Sequence, residues 1–198
     1  MEKQDGEKIT NVEILREWEN VCLKCRRCSL REGARSVVFG EGAPDARIMF
    51  IGEGPGGEED RLGRPFVGAA GRLFDRILNA SKLKRQDIYI ANVVKCRPPG
   101  NRTPQKDEIE TCLPLLKRQI EIIDASILVC LGSVASKALI SPRITITSQR
   151  GRWHQVEGRY IMPTFHPAAL LRDPRKKKPV WEDMQEVMKK HRKLFPGG

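Results

Sequence analysis

The run Ile48-Met-Phe-Ile51 passes directly into Gly52-Glu-Gly-Pro-Gly-Gly57, and three acids follow, Glu58, Glu59 and Asp60. Glycines at such a break let backbone approach a ligand closely and adopt positive φ. In open α/β sheets, ligands bind beyond the carboxyl ends of strands. A glycine-rich loop with clustered carboxylates, and an aromatic at Phe66, therefore reads as the rim of an active site. Taken alone, the loop would be only a strand-to-helix turn. Asn92 ends the run Ile88-Tyr-Ile-Ala-Asn92. Its amide can offer one donor and one acceptor to a ligand edge. Taken alone, an Asx turn or cap is the better reading. His166 closes another run, in Thr164-Phe-His-Pro-Ala168, where Pro167 fixes the backbone at a loop entrance. The other two histidines are His154, inside an expected hairpin, and His191, on the charged last helix. His166 is thus the catalytic candidate.

Six cysteines are present: Cys22, Cys25, Cys28, Cys96, Cys112 and Cys130. In a reducing compartment, metal ligation is favoured over disulfides. Cys25 and Cys28 form a tight-turn pair, although Cys22 could pair with Cys25 at the same spacing. Cys96 and Cys112 supply a second, widely split pair. Four thiolates from two distant segments suit a tetrahedral zinc or an iron–sulfur cluster, and spacing does not choose between them. Cys112 on its own would read as a buried apolar cysteine, and Cys130 reads as core. Such a centre would be structural, tying the N-terminal helix to loop 97–105 with its Arg97, Asn101 and Arg102. Side chains of that kind contact phosphates. Leu170 and Leu171, followed by Arg172, Arg175 and Lys176 to Lys178, read as a wedge with phosphate anchors. A solvated basic tail is the ordinary alternative. The net charge of +11 points the same way, toward a polyanion such as nucleic acid.

These groups need elements to hold them. With 198 residues, 39% apolar, the chain is read as one domain, 1–198, with residues 1–11 frayed. No apolar run reaches membrane-spanning length, and no signal-peptide core is visible. A soluble, intracellular (cytoplasmic) protein is expected. The 31% charged content hints at a thermophile. Periodicity predicts helices over 12–21, 69–80, 103–123, 133–139 (with Ser133 as N-cap) and 180–195. It predicts strands over 47–51, 88–94, 127–131 and 160–165, loop and edge structure over 29–46, and a hairpin over 144–161 turning at Glu157-Gly158. Strands alternating with helices imply an α/β fold, a three-layer α/β/α sandwich with a mostly parallel sheet.

Taken together, these residues closely resemble family 4 uracil-DNA glycosylases, the thermostable iron–sulfur type of archaea and bacteria. The matching motifs are Gly52-Glu-Gly-Pro-Gly56, Gly63-Arg-Pro-Phe-Val-Gly68, Asn92-Val-Val-Lys-Cys-Arg-Pro-Pro99, Phe165-His-Pro-Ala168 and the set Cys25, Cys28, Cys96, Cys112. The resemblance runs from about Cys25 to the last helix and leaves Cys22 outside the pattern. It implies a [4Fe–4S] cluster on those four cysteines. It also implies a base-excision repair enzyme that flips deoxyuridine out of DNA and hydrolyses its N-glycosidic bond. Uracil would be bound by Gly52, Glu53, Gly54, Phe66, Asn92 and His166. Phe66 would stack on the ring, and Asn92 would read the edge and reject cytosine. His166 would stabilise the departing anion. The best-known uracil glycosylases carry Asp where this chain has Gly54, which leaves Glu53 and Glu59 as catalytic carboxylates. A side chain within Gly56–Phe66 is expected to refuse thymine's methyl. Arg102, Leu170, Leu171, Arg172, Arg175 and Lys176 are the expected DNA contacts. The expected partner is uracil-containing DNA, single- or double-stranded. No membrane, a monomer, and a replication clamp as candidate partner complete the expectation. The rivals are a related glycosylase with another lesion specificity and a non-catalytic, metal-holding nucleic-acid binder. A covalent His-type glycosylase is disfavoured because residues 97–105 contain no His.

Overall fold

The computed structural model describes residues 10–197. Its centre is a six-stranded sheet: β1 (Glu41–Gly42), β2 (Ile48–Gly52), β3 (Tyr89–Asn92), β4 (Ile127–Leu131), β5 (His154–Val156) and β6 (Arg159–Thr164). The spatial order is β1-β3-β2-β4-β6-β5. The inner four strands are parallel, and the short strands at the two edges are antiparallel. β2 and β4 are continuous apolar runs because both faces of the sheet are covered. Successive strand side chains point to opposite faces. Met49, Ile51, Tyr89, Ala91, Leu128 and Cys130 share one core with Leu15, Leu115, Leu116 and Ile120. Ile48, Phe50, Ile90, Val129 and Met162 share the other with Phe74, Leu78, Leu170, Val180 and Met184.

Those two cores are closed by helices. On the first side lie α1 (Asn11–Leu23) and α5 (Lys106–Ile123), with α6 (Ser133–Leu139) beside them. On the second lie α4 (Ala69–Ala80), α8 (Pro167–Arg172) and α9 (Lys177–Leu194). The remaining helices are short: α2 (Leu30–Gly33), α3 (Gly57–Leu62) and α7 (Ile146–Gln149). The result is the expected α/β sandwich. From β2 the chain moves outward to β3, then returns past β2 to β4. The crevice beyond the carboxyl ends of β2 and β4 is therefore a switch point, where ligands settle in such sheets. No helix among the described residues is long and apolar enough to cross a membrane.

Several boundaries differ from expectation. Of the segment 1–11, residues 1–9 lie outside those described, but Thr10 is no frayed end. Its hydroxyl and backbone N–H exchange hydrogen bonds with Glu13 in a capping box. Ser133 does not cap α6; Gly132, at φ +93°, takes that place. Of the hairpin expected over 144–161, only β5 and β6 are strands, because Ile146–Gln149 coil into α7. Helix α5 starts at Lys106, where Gln105 and Glu108 form a capping box. β3 stops at Asn92, although Val93 and Val94 still donate to the Gly52 and Glu53 carbonyls.

Candidate active site

The four parallel strands end on one edge, and three of the ends carry a candidate group: Gly52 on β2, Asn92 on β3 and His166 just past β6. A cavity of about 650 Å³ opens there. Glu53, Gly54, Glu59, Phe66, Asn92 and His166 line it together, with Arg102, Leu171 and Arg172 at its mouth. Gly52 lies beneath. A Cβ on it would fall 2.4 Å from Asn92 Oδ1 and 2.6 Å from Phe66 Cζ. The Asn amide and the Phe ring thus meet over a position that only glycine fills.

Asn92 is 2% exposed, and its Oδ1 has no hydrogen-bond partner. Buried acceptors are nearly always satisfied, so an orphan in a cavity wall is an acceptor waiting for a ligand donor. Phe66 is held with equal care. It adopts φ +53°, rare for a bulky side chain. Arg85 pins it by donating to the Pro65 and Phe66 carbonyls at 2.6 and 3.0 Å. Gly71 makes room, since a Cβ there would fall 1.9 Å from the Phe66 oxygen. The Phe66 ring faces the His166 imidazole, with centroids 5.5 Å apart and planes 30° apart.

His166 is the N-cap of α8, and its Nδ1 accepts from Ala168 N at 3.1 Å. A nitrogen that accepts carries no proton, so the neutral ring holds its proton on Nε2. Burial, and secondly the Arg172 guanidinium, push its pKa down to about 4, against a smaller opposing pull from Glu59. Upstream, Thr164 donates to the buried Asp183 carboxylate, which Arg150 also grips. That network fixes the end of β6. Asp183 interrupts the apolar stripe Val180, Met184, Val187 on α9, and this break was its signal in the sequence.

The two carboxylates differ. Glu59 Oε1 accepts from Val67 N and Gly68 N at 2.9 and 2.7 Å, and Oε2 from Gly56 N at 3.1 Å. It ties the glycine loop to the Phe66 segment. Glu53 makes no such bonds, and burial raises its pKa against the pull of Arg172. A Cβ on Gly54 would fall 2.7 Å from Val94 Cγ2, so this site has no room for an Asp at that position.

Among the expected DNA contacts, Leu170 is corrected. It is 1% exposed and belongs to the core, whereas Leu171 is 48% exposed at the cavity mouth. Arg102 is committed to Glu108 in a two-pronged ion pair at 2.6 and 2.8 Å. Arg175 pairs with Asp173 at 2.8 Å, and Lys176 lies over the Phe165 ring.

Cys25, Cys28, Cys96 and Cys112 line one small cavity of about 20 Å³. Lys95 N–H donates to Cys112 Sγ at 3.3 Å. None of the six cysteines is in a disulfide. Among the described residues no three His, Cys, Asp or Glu side chains converge as a single metal ion requires. Cys130 is core, and Cys22 is buried where α1 ends.

The family model described as the uracil DNA glycosylase superfamily matches residues 39–185. The chain is 48% identical to the type-4 uracil-DNA glycosylase of Thermotoga maritima over 76% of its own length and 79% of the relative's. It is 44% identical to the type-4 enzyme of Sulfurisphaera tokodaii, over 83% and 79%. The chain belongs to the type-4 family of uracil-DNA glycosylases. The matched span of this superfamily model begins just before β1 and ends within α9. It therefore takes in the glycine loop, Phe66, Asn92 and His166. Cys25 and Cys28 fall ahead of it.

Proposed function

We propose that this chain is a DNA repair glycosylase that takes deoxyuridine out of the base stack and hydrolyses its N-glycosidic bond, releasing uracil and leaving an abasic site. The observation that carries this reading is the orphan Asn92 Oδ1, sharing one cavity with the Phe66 ring and the His166 imidazole. Oδ1 accepts from uracil N3–H, and the amide nitrogen donates to O4. Cytosine presents the opposite pattern, an acceptor at N3 and a donor at N4. Binding it would leave buried polar groups unpaired, and pockets reject ligands strongly on that ground. Asn92→Asp is expected to weaken uracil release and to admit cytosine, measured as single-turnover release from both oligonucleotides. An unchanged preference between the bases would remove Asn92 from recognition.

Phe66 stacks on the base. Glu58 and Glu59 of the segment Gly56–Phe66 both line the cavity, but Glu58 is exposed and paired with Arg61, whereas Glu59 is held by three backbone N–H groups. Glu59 therefore acts as a positioning group and as the carboxylate that a thymine methyl would meet. As the glycosidic bond breaks, the base takes the electron pair and becomes an anion. His166 Nε2–H donates to its O2, a donor set in place before charge develops. Glu53 orients the water that attacks the sugar carbon. Leu171 fills the gap left in the stack, and Arg172, Arg175 and Lys176 meet phosphates.

Cys25, Cys28, Cys96 and Cys112 would hold a [4Fe–4S] cluster. The reading is supported by the four cysteines lining one cavity together and by Lys95 N–H donating to the Cys112 sulfur. Such a cluster supplies a cross-link between the end of α1, the segment after β3 and α5. The direct test is incubation with a uracil-containing oligonucleotide, then alkali. Strand cleavage at the uracil position is expected. Its absence, with DNA binding intact, would leave a non-catalytic binder.

A further inference from the structure

Among the described residues, one lysine is completely buried. Lys95 is 1% exposed, next in sequence to Cys96 and inside the wall of the cysteine cavity. Lysines are almost never fully buried without an anionic partner. Here Nζ donates to a neutral group, Gln119 Oε1. Gln119 is locked in that orientation, because its Nε2 donates to Phe39 O at 3.0 Å and to the Tyr89 hydroxyl at 3.3 Å. The Phe39 ring lies 6.0 Å from the ammonium. No carboxylate pairs with Lys95 among the described residues. The ionisable groups that act on it are the thiols of Cys112 and Cys22, which burial keeps neutral in the absence of a metal. This interior therefore lacks a fixed anion for its cation. It gains one when the cysteines become thiolates on iron, since a thiolate-held four-iron cluster is negative overall.

We infer that Lys95 is the built-in counter-cation of the cysteine-held cluster, stabilising its more reduced, more negative form and so raising its reduction potential. The inference rests on the cluster reading above. Net charge, hydrogen bonds to sulfur and exposure set such potentials. Lys95 acts through the first, and its backbone N–H serves the second.

The experiment is a dithionite titration of anaerobically purified protein, one electron per cluster, followed by visible bleaching. Wild type, Lys95→Met and Gln119→Glu are compared at matched iron content. Lys95→Met removes the charge and keeps the volume. Gln119→Glu keeps the lysine and pairs it off with a carboxylate. Both are expected to move the midpoint to more negative potential and to hasten iron loss to a chelator. The new carboxylate lowers the midpoint by its own charge as well, so Lys95→Met is the deciding variant, and a merely structural lysine would leave its midpoint where it was. An unchanged midpoint in iron-loaded Lys95→Met overturns the inference. If that variant fails to fold, an unchanged midpoint in Gln119→Glu does so alone. A colourless, iron-free wild type instead overturns the cluster reading itself.

Discussion

Single-turnover release of uracil by His166→Ala is expected to fall about 10²–10³-fold, the usual cost of losing one preorganised donor to a developing anion. DNA binding should persist, because the basic side chains at the rim are untouched. The form that donates is the neutral one. Nδ1 is occupied by Ala168 N–H, so the proton sits on Nε2, aimed away from the cap. With its pKa pushed down to about 4, His166 stays neutral across the physiological range. The rate should therefore show no His166 inflection near the ordinary histidine value of about 6.5. An inflection belonging to this group is expected near pH 4. Arg172→Gln should move it upward, since Arg172 is the second cause of the depression after burial. The sign for stability follows. As pH falls from about 6.5 toward 4, the unfolded chain takes up a proton that the folded chain refuses, so folding weakens across that window. A rate profile with its acidic limb at 6.5, shared by wild type and Arg172→Gln, would contradict the neutral donor. Near wild-type release by His166→Ala would remove the residue from the chemistry.

Much of this site was legible because its groups sit at strand ends, where the chain changes texture. The run Ile48 to Ile51 is apolar on both faces, and its break into glycine marks the edge of the sheet. Asn92 and His166 end similar runs, so parallel strands carry all three to one place. What stayed hidden depends on the third dimension. Leu170 and Leu171 are adjacent leucines on a six-residue helix, too short for periodicity to say which faces the core. Glu59 read as a carboxylate available for water. Its oxygens are instead taken by the N–H groups of Val67 and Gly68, which only the fold brings back to it. Lys95 stands in the run Asn92 to Pro99 with nothing local to say that its side chain is buried, and only the fold turns it inward. Residues 144–153 carry β-branched side chains, and tertiary packing coils part of them into α7.

Gly52→Ala tests whether the pocket is one object. The new methyl would lie 2.4 Å from Asn92 Oδ1, 2.6 Å from Phe66 Cζ and 2.9 Å from Phe66 Cε2. All three are side-chain atoms, so the groups that must yield are the base-reading amide and the stacking ring. The backbone of Gly52 is an ordinary strand end paired with Asn92 in register, and it needs no positive φ. Overpacking of this kind costs about 1–3 kcal/mol. At a few degrees per kcal/mol for a chain of this size, Tm should drop by roughly 3–10 °C while the fold persists. Activity should suffer far more. Displacing a positioning group by about 1 Å can cost on the order of 10²-fold, and here two groups move together. Gly71→Ala offers the contrast. Its methyl would meet the Phe66 carbonyl at 1.9 Å, backbone against backbone, so the larger loss should fall on stability. Single-turnover release and thermal melting, measured on both variants, separate the two cases. If Gly52→Ala released uracil at the wild-type rate, Asn92 and Phe66 could not both be holding the base over that glycine.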